Sequence, residues 1–138
     1  MSFLLDTNVI SEIRKKSPHP HVAAWFASVP ASEVFLSALV VGEIRQGVER
    51  LARRDPAQAE RFEQWLGRLV VAYGDRIVPV TTDVAEVWGR LNVPDPVPVV
   101  DGLLAATAVV HGWTLVTRNT TDIAGTGVRL LDPFTALG

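Results

Sequence analysis

Five short runs, Phe3–Leu5, Val34–Leu36, Ile77–Val80, Thr114–Val116 and Val128–Leu131, are largely apolar, and longer segments with helical periodicity separate them. This alternation narrows the fold more than any other feature. Short runs apolar at nearly every position read as strands buried on both faces, and strands joined through helices run parallel. The pattern predicts an α/β protein, a three-layer α/β/α sandwich around a mainly parallel sheet of about five strands. One domain spans residues 1–138, with no internal repeat or low-complexity tract.

The helical segments carry their own punctuation. A short helix is expected over Val9–Arg14. Another is bracketed at its start by Pro18 and Pro20 and carries Val22, Trp25, Phe26 and Val29. Ser37 is placed to cap the next helix, whose Val41, Ile44, Val48 and Leu51 share one face. Asp55-Pro56 is a cap followed by proline at the first helical position, opening a helix through Phe62, Trp65, Leu66 and Leu69 that ends at Gly74. A further helix carries Val84, Val87, Trp88 and Leu91. After the proline-rich connection Asn92–Pro98, Asp101 opens a helix that Gly112 terminates.

Against this framework four acids stand out. Asp6 closes the first strand, Glu43 lies early in its helix, Asp101 begins another, and Asp122 follows the fourth strand by a few residues. Ligands of open parallel sheets bind beyond the carboxyl ends of the strands, so these four side chains can converge on one edge. Carboxylates gathered there raise one another's pKa unless a cation shares the site. Their hard oxygens suit Mg²⁺ or Mn²⁺. The chemistry implied is metal-assisted reaction at a phosphate, in which the ion activates water and offsets charge on phosphoryl oxygens. Thr7, Asn8, Thr117 and Asn119 are short polar groups able to orient the carboxylates or a water without adding charge.

Composition removes several classes. With no cysteine, disulfide scaffolds, thiolate zinc sites and cysteine nucleophiles are excluded together. The opening Met1–Asp6 lacks a basic region and is not expected to be a secretory signal. No apolar stretch approaches the ~20 residues of a membrane span, so a soluble cytoplasmic protein is expected. The net charge of −2 weighs against a nucleic-acid partner. Its distribution offsets that: without the four acids the remainder is slightly positive, and Arg14, Lys15, Lys16, Arg45, Arg50, Arg53 and Arg54 form two basic clusters. The 48% apolar content is high for 138 residues and fits a surface covered by a partner as well as a large core.

Read together, Leu5-Asp6-Thr7-Asn8-Val9, Val41-Gly42-Glu43-Ile44, Asp101-Gly102 leading a helix of small residues, Thr117-Arg118-Asn119-Thr120-Thr121-Asp122 and the closing Leu130-Leu131-Asp132-Pro133-Phe134 resemble a PIN-domain ribonuclease. More narrowly the chain is similar to the VapC toxins of type II toxin–antitoxin systems, near the FitB-like branch. The resemblance extends over essentially the whole chain. It implies a Mg²⁺-dependent endoribonuclease, with Mn²⁺ as the other candidate ion, leaving 5′-phosphate and 3′-hydroxyl ends. It maps the metal-binding acids onto Asp6, Glu43 and Asp101. The fourth position falls on either Asp122 or Asn119. The partners it implies are an RNA substrate, a small cognate antitoxin, a second copy in a homodimer, and operator DNA reached only through the antitoxin.

Each of these residues also has a plainer reading. Asp6 and Asp101 can cap helices, Glu43 can lie on a solvated face, and Asp122 can be an ordinary loop residue. His19, His21 and His111 are scattered and read as surface or helix-end residues, and Trp25, Trp65, Trp88 and Trp113 as mostly core. Phosphatases and receiver domains that also place an aspartate after the first strand require a downstream lysine, and none follows Lys16. The remaining alternatives are a catalytically inactive PIN fold serving as a binding module, and a PIN-like DNA nuclease.

Overall fold

The computed structural model describes residues 1–135. Its elements are β1 (Phe3–Leu5), α1 (Thr7–Ile13), α2 (Pro20–Ala27), β2 (Val34–Ser37), α3 (Ala38–Ala52), α4 (Pro56–Tyr73), β3 (Ile77–Val78), α5 (Thr82–Leu91), α6 (Val99–His111), β4 (Thr114–Val116), α7 (Thr120–Ile123) and β5 (Leu130–Leu131). The sheet order is β3-β2-β1-β4-β5, and every pair is parallel. The chain steps outward from β1 through β2 to β3, then returns past β1 to β4 and β5. Right-handed crossovers therefore place α1–α4 on one face and α5–α7 on the other. The principal helix contacts respect that division, α3 with α4 and α1 with α2 and α3, then α5 with α6 and α6 with α7.

The strands are as apolar as the sequence predicts, and the central ones are sealed between the helical layers. Leu4, Leu5, Leu36, Leu115 and Val116 are fully buried. So are Val9, Val22 and Val40 from one layer, and Leu104, Ala105 and Ala108 from the other. Each large aliphatic side chain removed from water in this way contributes roughly 1.5–3 kcal/mol.

Several boundaries are shorter than the apolar runs. The third strand stops at Val78 because Pro79 has no N–H to continue the ladder. The fifth begins only at Leu130: Gly127 has φ 74°, and Val128 N–H is taken by the Thr126 hydroxyl instead of a neighbouring strand. The caps follow expectation, with the Ser37 oxygen accepting from Leu39 N–H and Asp55 from Gln58 N–H. Gly112 adopts φ 72° to end α6, a conformation open to glycine at little cost. No helix among the described residues is long and apolar enough to cross a membrane.

Candidate active site

In this strand order the chain reverses direction between β1 and β4, and the crevice beyond their carboxyl ends is where such sheets bind ligands. Asp6 and Thr117 are the first residues past those ends. The Asp6 N–H donates to Val116 O at 2.9 Å and Thr117 N–H to Leu131 O at 3.0 Å, so sheet pairing runs directly into the crevice.

Asp6 does two jobs. It is the N-cap of α1, its Oδ1 accepting from Thr7 N–H at 2.7 Å. Its Oδ2 accepts from the fully buried Thr117 hydroxyl at 2.7 Å, and at 3.4 Å from the Asn8 amide. The residue is 4% exposed, and burial raises its pKa against the lowering effect of Thr117 and Thr7. Two further bonds tie the β4 exit to this frame. Asn8 Oδ1 accepts from Arg118 N–H at 3.2 Å, and Thr117 Oγ1 accepts from Asn119 N–H at 3.0 Å. On the other side the Thr7 hydroxyl donates to Glu43 Oε1 at 2.5 Å, joining α3 to the same network. The four short polar residues picked out in the sequence thus all lie in or beside the Asp6 frame. Thr117 and Thr7 hold carboxylates directly, and Asn119 contributes through its backbone.

Asp101 differs from the expectation for it. The helix begins at Val99 after Pro98, so Asp101 is the third residue of the first turn and caps nothing. Among the described residues its carboxylate accepts no hydrogen bond. Its pKa is raised first by burial, then by the charges of Asp6, Asp122 and Glu43. Three acids separated by 95 or fewer positions of chain, and 21 in the case of Asp122, therefore act on one carboxyl group in space. Asp122 is also placed differently from the sequence reading: it lies in α7, a single helical turn, and is exposed. Gly102, next to Asp101, is where α6 meets α5; a Cβ there would stand 3.1 Å from Cδ1 of Trp88.

The donor set, four carboxylates plus neutral oxygens, is hard and anionic and suits Mg²⁺ or Mn²⁺ better than softer ions. Among the described residues no three acidic side chains are drawn tightly enough to share one ion. Bare carboxylates about 4 Å apart repel by about 4 kcal/mol at an effective dielectric of 20, so closer approach needs a cation between them.

Two features extend beyond the acids and their neutral neighbours. A groove of about 280 Å³ runs from Thr7 and Glu43 between α1, α3 and α4 to Arg14, Arg54, Phe62 and Trp65. The Arg14 guanidinium lies 4.0 Å over the Phe62 ring. Arg45, one of the basic cluster that follows Glu43 in sequence, is committed to Glu63 through two hydrogen bonds, at 2.7 and 2.5 Å. Only the packing of α1 on α3 and α4 separates these two kinds of arginine. The histidines and tryptophans largely follow their plain readings. His19 caps α2, His111 stacks on Trp113 at the end of α6, and Trp25 is buried. Trp113 lies outside any helix, stacked on Phe35.

Comparison with known proteins bears on the fold and the family. Residues 3–124 match the PIN domain family. The chain is 33% identical to the toxin FitB of Neisseria gonorrhoeae, over 95% of this chain and 97% of that protein. It is 31% identical to the VapC ribonuclease Y4jK of Sinorhizobium fredii, over 95% of this chain and 96% of that one. A solved FitAB complex bound to a DNA fragment superposes with a TM-score of 0.87 at 30% identity, covering 99% of this chain and 98% of that one. With its sheet order and these matches in agreement, the chain belongs to the PIN-domain family.

Proposed function

We propose that this protein is the toxin of a type II toxin–antitoxin pair, an endoribonuclease that hydrolyses RNA phosphodiester bonds. Asp6, Glu43, Asp101 and Asp122 would hold one or two divalent ions, Mg²⁺ or Mn²⁺. The observation that carries the reading is the convergence of four acids from four separate elements on the β1–β4 crevice, one of them fully framed by neutral donors. A structural cap explains Asp6 alone. It does not explain why Glu43 is fixed beside it, or why Asp101 and Asp122 stand close enough for their charges to be felt.

When bound, such an ion supplies a more acidic water and offsets charge on the phosphoryl oxygens. The chain's own residues prepare for it. Thr117 and the Thr7 N–H orient both Asp6 oxygens, and the Thr7 hydroxyl fixes one Glu43 oxygen while leaving the other open. Asp101 and Asp122, free of hydrogen bonds among the described residues, can move toward a cation. The unbonded amide of Asn119, beside Thr117, is the neutral alternative to Asp122 as the fourth ligand.

Support for the toxin assignment comes from the FitB and VapC relatives named above, and for an antitoxin partner from the FitAB complex. By the same reasoning we infer a homodimer, and contact with operator DNA only through the antitoxin. The work of such a pair places the protein in the cytoplasm. The experiment is RNA cleavage by the purified chain in Mg²⁺, in chelator, and after Mg²⁺ or Mn²⁺ is restored, with analysis of the product ends. Activity lost in chelator, regained with the ion and yielding 5′-phosphates supports the proposal. Full activity in chelator, or 2′,3′-cyclic phosphate ends, refutes it. Cleavage of single-stranded DNA but not RNA would make the protein a DNA nuclease.

A further inference from the structure

The groove leaving the acidic crevice has a composition that the hydrolytic site does not require. Its inner end is Thr7 and Glu43, and its outer end carries Arg14, Arg54, Phe62 and Trp65. Arg14, Phe62 and Trp65 also border a second cavity of about 270 Å³, which continues the groove to Gln58, Arg61 and Arg68. On α4 these residues fall at positions 58, 61, 62, 65 and 68, spacings of three and four that form one stripe of a helix. The helix buries a different stripe, Ala59, Leu66, Leu69 and Tyr73.

The arginines of this stripe are not occupied internally. Arg14, Arg54, Arg61 and Arg68 form no ion pair among the described residues, whereas nearby Arg45 is paired with both Glu63 and Glu49. Nor is the aromatic pair ordinary core. Phe62 and Trp65 meet edge to face at 6.5 Å and are only partly buried. The Arg14 guanidinium lies 4.0 Å from the Phe62 ring centre and 5.7 Å from that of Trp65. Unpaired guanidinium groups beside planar rings match a polymer that alternates phosphates with flat bases. Single-stranded RNA is bound in this way, by bases stacked on aromatic rings or guanidinium planes and by cationic contacts to its backbone. A peptide could also reach these arginines and rings, and its binding here is the competing outcome of the test below.

We propose that this groove is the track for the single-stranded RNA flanking the cleaved bond, with Arg14, Arg54, Arg61 and Arg68 on backbone phosphates and Phe62 and Trp65 beneath the bases. The inference rests on the nuclease reading and extends it: the acids cut, and the α1–α3–α4 groove sets how long a substrate is engaged. It also reconciles an RNA substrate with a net charge of −2, because four arginines without carboxylate partners line the continuous groove.

The test separates binding from cleavage. Affinity for a fluorescently labelled oligouridylate is measured by anisotropy on the Asp101→Asn background across a salt series. Cleavage of a long oligomer and of a dinucleotide is measured on the otherwise native chain. The Arg61→Ala/Arg68→Ala variant, altered only at exposed positions, should weaken oligomer binding by about tenfold and reduce the salt slope by about 1.4. It should slow cleavage of the long oligomer and leave dinucleotide turnover unchanged. Trp65→Phe should retain most oligomer affinity and Trp65→Leu should lose it, with thermal melting confirming that both fold. If the arginine variant binds the oligomer with native affinity and salt slope, the track is refuted, whether or not the native chain cleaves. If it loses affinity for the antitoxin but not for the oligomer, the groove is a protein-docking surface and the proposal is likewise overturned. Absence of cleavage by the native chain with oligomer binding still dependent on the arginines would refute the nuclease reading alone.

Discussion

The two halves of the acidic crevice are built in opposite ways. At the β1–β4 edge, Asp6 is buried, caps α1 and accepts a hydroxyl from Thr117, so its carboxylate cannot turn without breaking bonds on both oxygens. At the start of α6, Asp101 has no hydrogen bond among the described residues, and its position is set by the packing of Gly102 against Trp88. The first half is fixed in orientation, and its neutral donors oppose the burial penalty on the charge without cancelling it. The second is held in place against burial first and then the repulsion of three other acids, which protonation or a cation relieves. A site made this way has a fixed anchor on the sheet and a responsive arm on the helix.

Replacing each anchor separates the two halves, and the largest effect is expected at the arm. Asp101→Asn should reduce RNA cleavage by more than about 100-fold, beyond the range for residues that merely support ligands. In metal-free buffer the same variant should melt higher than the native chain, because a repelled charge has been removed. Asp6→Ala should lose cleavage to a similar degree but melt lower. It removes an N-cap, at about 1 kcal/mol, and leaves the buried Thr117 hydroxyl without its acceptor. Calorimetry in chelator reads both; if the two variants shift melting in the same direction, the contrast between the halves is wrong.

Thr117→Val should have the next largest effect, about 10–100-fold on cleavage or on Mg²⁺ affinity, with Thr117→Ser restoring most of it. Restoration would show that the hydroxyl donated to Asp6 matters and the methyl does not. Were Thr117→Val silent in a Mg²⁺ titration, Asp6 would not need its orientation fixed.

The smallest effect is in stability against pH. Asp101 and Asp6 both have folded-state pKa values raised above the ordinary 3.8. Between that value and the raised one the folded chain binds more protons than the unfolded chain, so these groups make stability fall as pH rises through the window. Their penalty is complete above the folded pKa and absent below the unfolded one. Melting temperatures of the native chain and Asp101→Asn, compared across that range in chelator, should therefore converge on acidification and separate toward neutral pH. Saturating Mg²⁺ should close the gap. A constant difference across pH would show that Asp101 is not repelled by its neighbours.

How much of this was legible before folding depends on the range of the signal. Ser37, Asp55 and Gly112 act where the sequence puts them because capping and helix termination involve residues only a few positions apart. Asp101 misled for the same reason. Its place before a small-residue helix looks like a cap, but Pro98 permits the helix to begin at Val99, and that shifts the acid into the first turn. Asp122 read as a loop residue because a single turn over Thr120–Ile123 is too brief to show periodicity.

By itself the sequence determined the layered parallel architecture and most element boundaries, and it singled out the four acids proposed as ligands. These follow from periodicity, turn chemistry and the few residue types that can hold a hard cation. Tertiary structure alone decided which neutral group serves which acid, as when Thr117 reaches Asp6 across 111 positions. It also decided which arginines are consumed by carboxylates and which are left facing a groove. Those outcomes depend on which helices share a layer and how far apart side chains finish. That is fixed by the burial of the whole sheet, so no local stretch of chain encodes it.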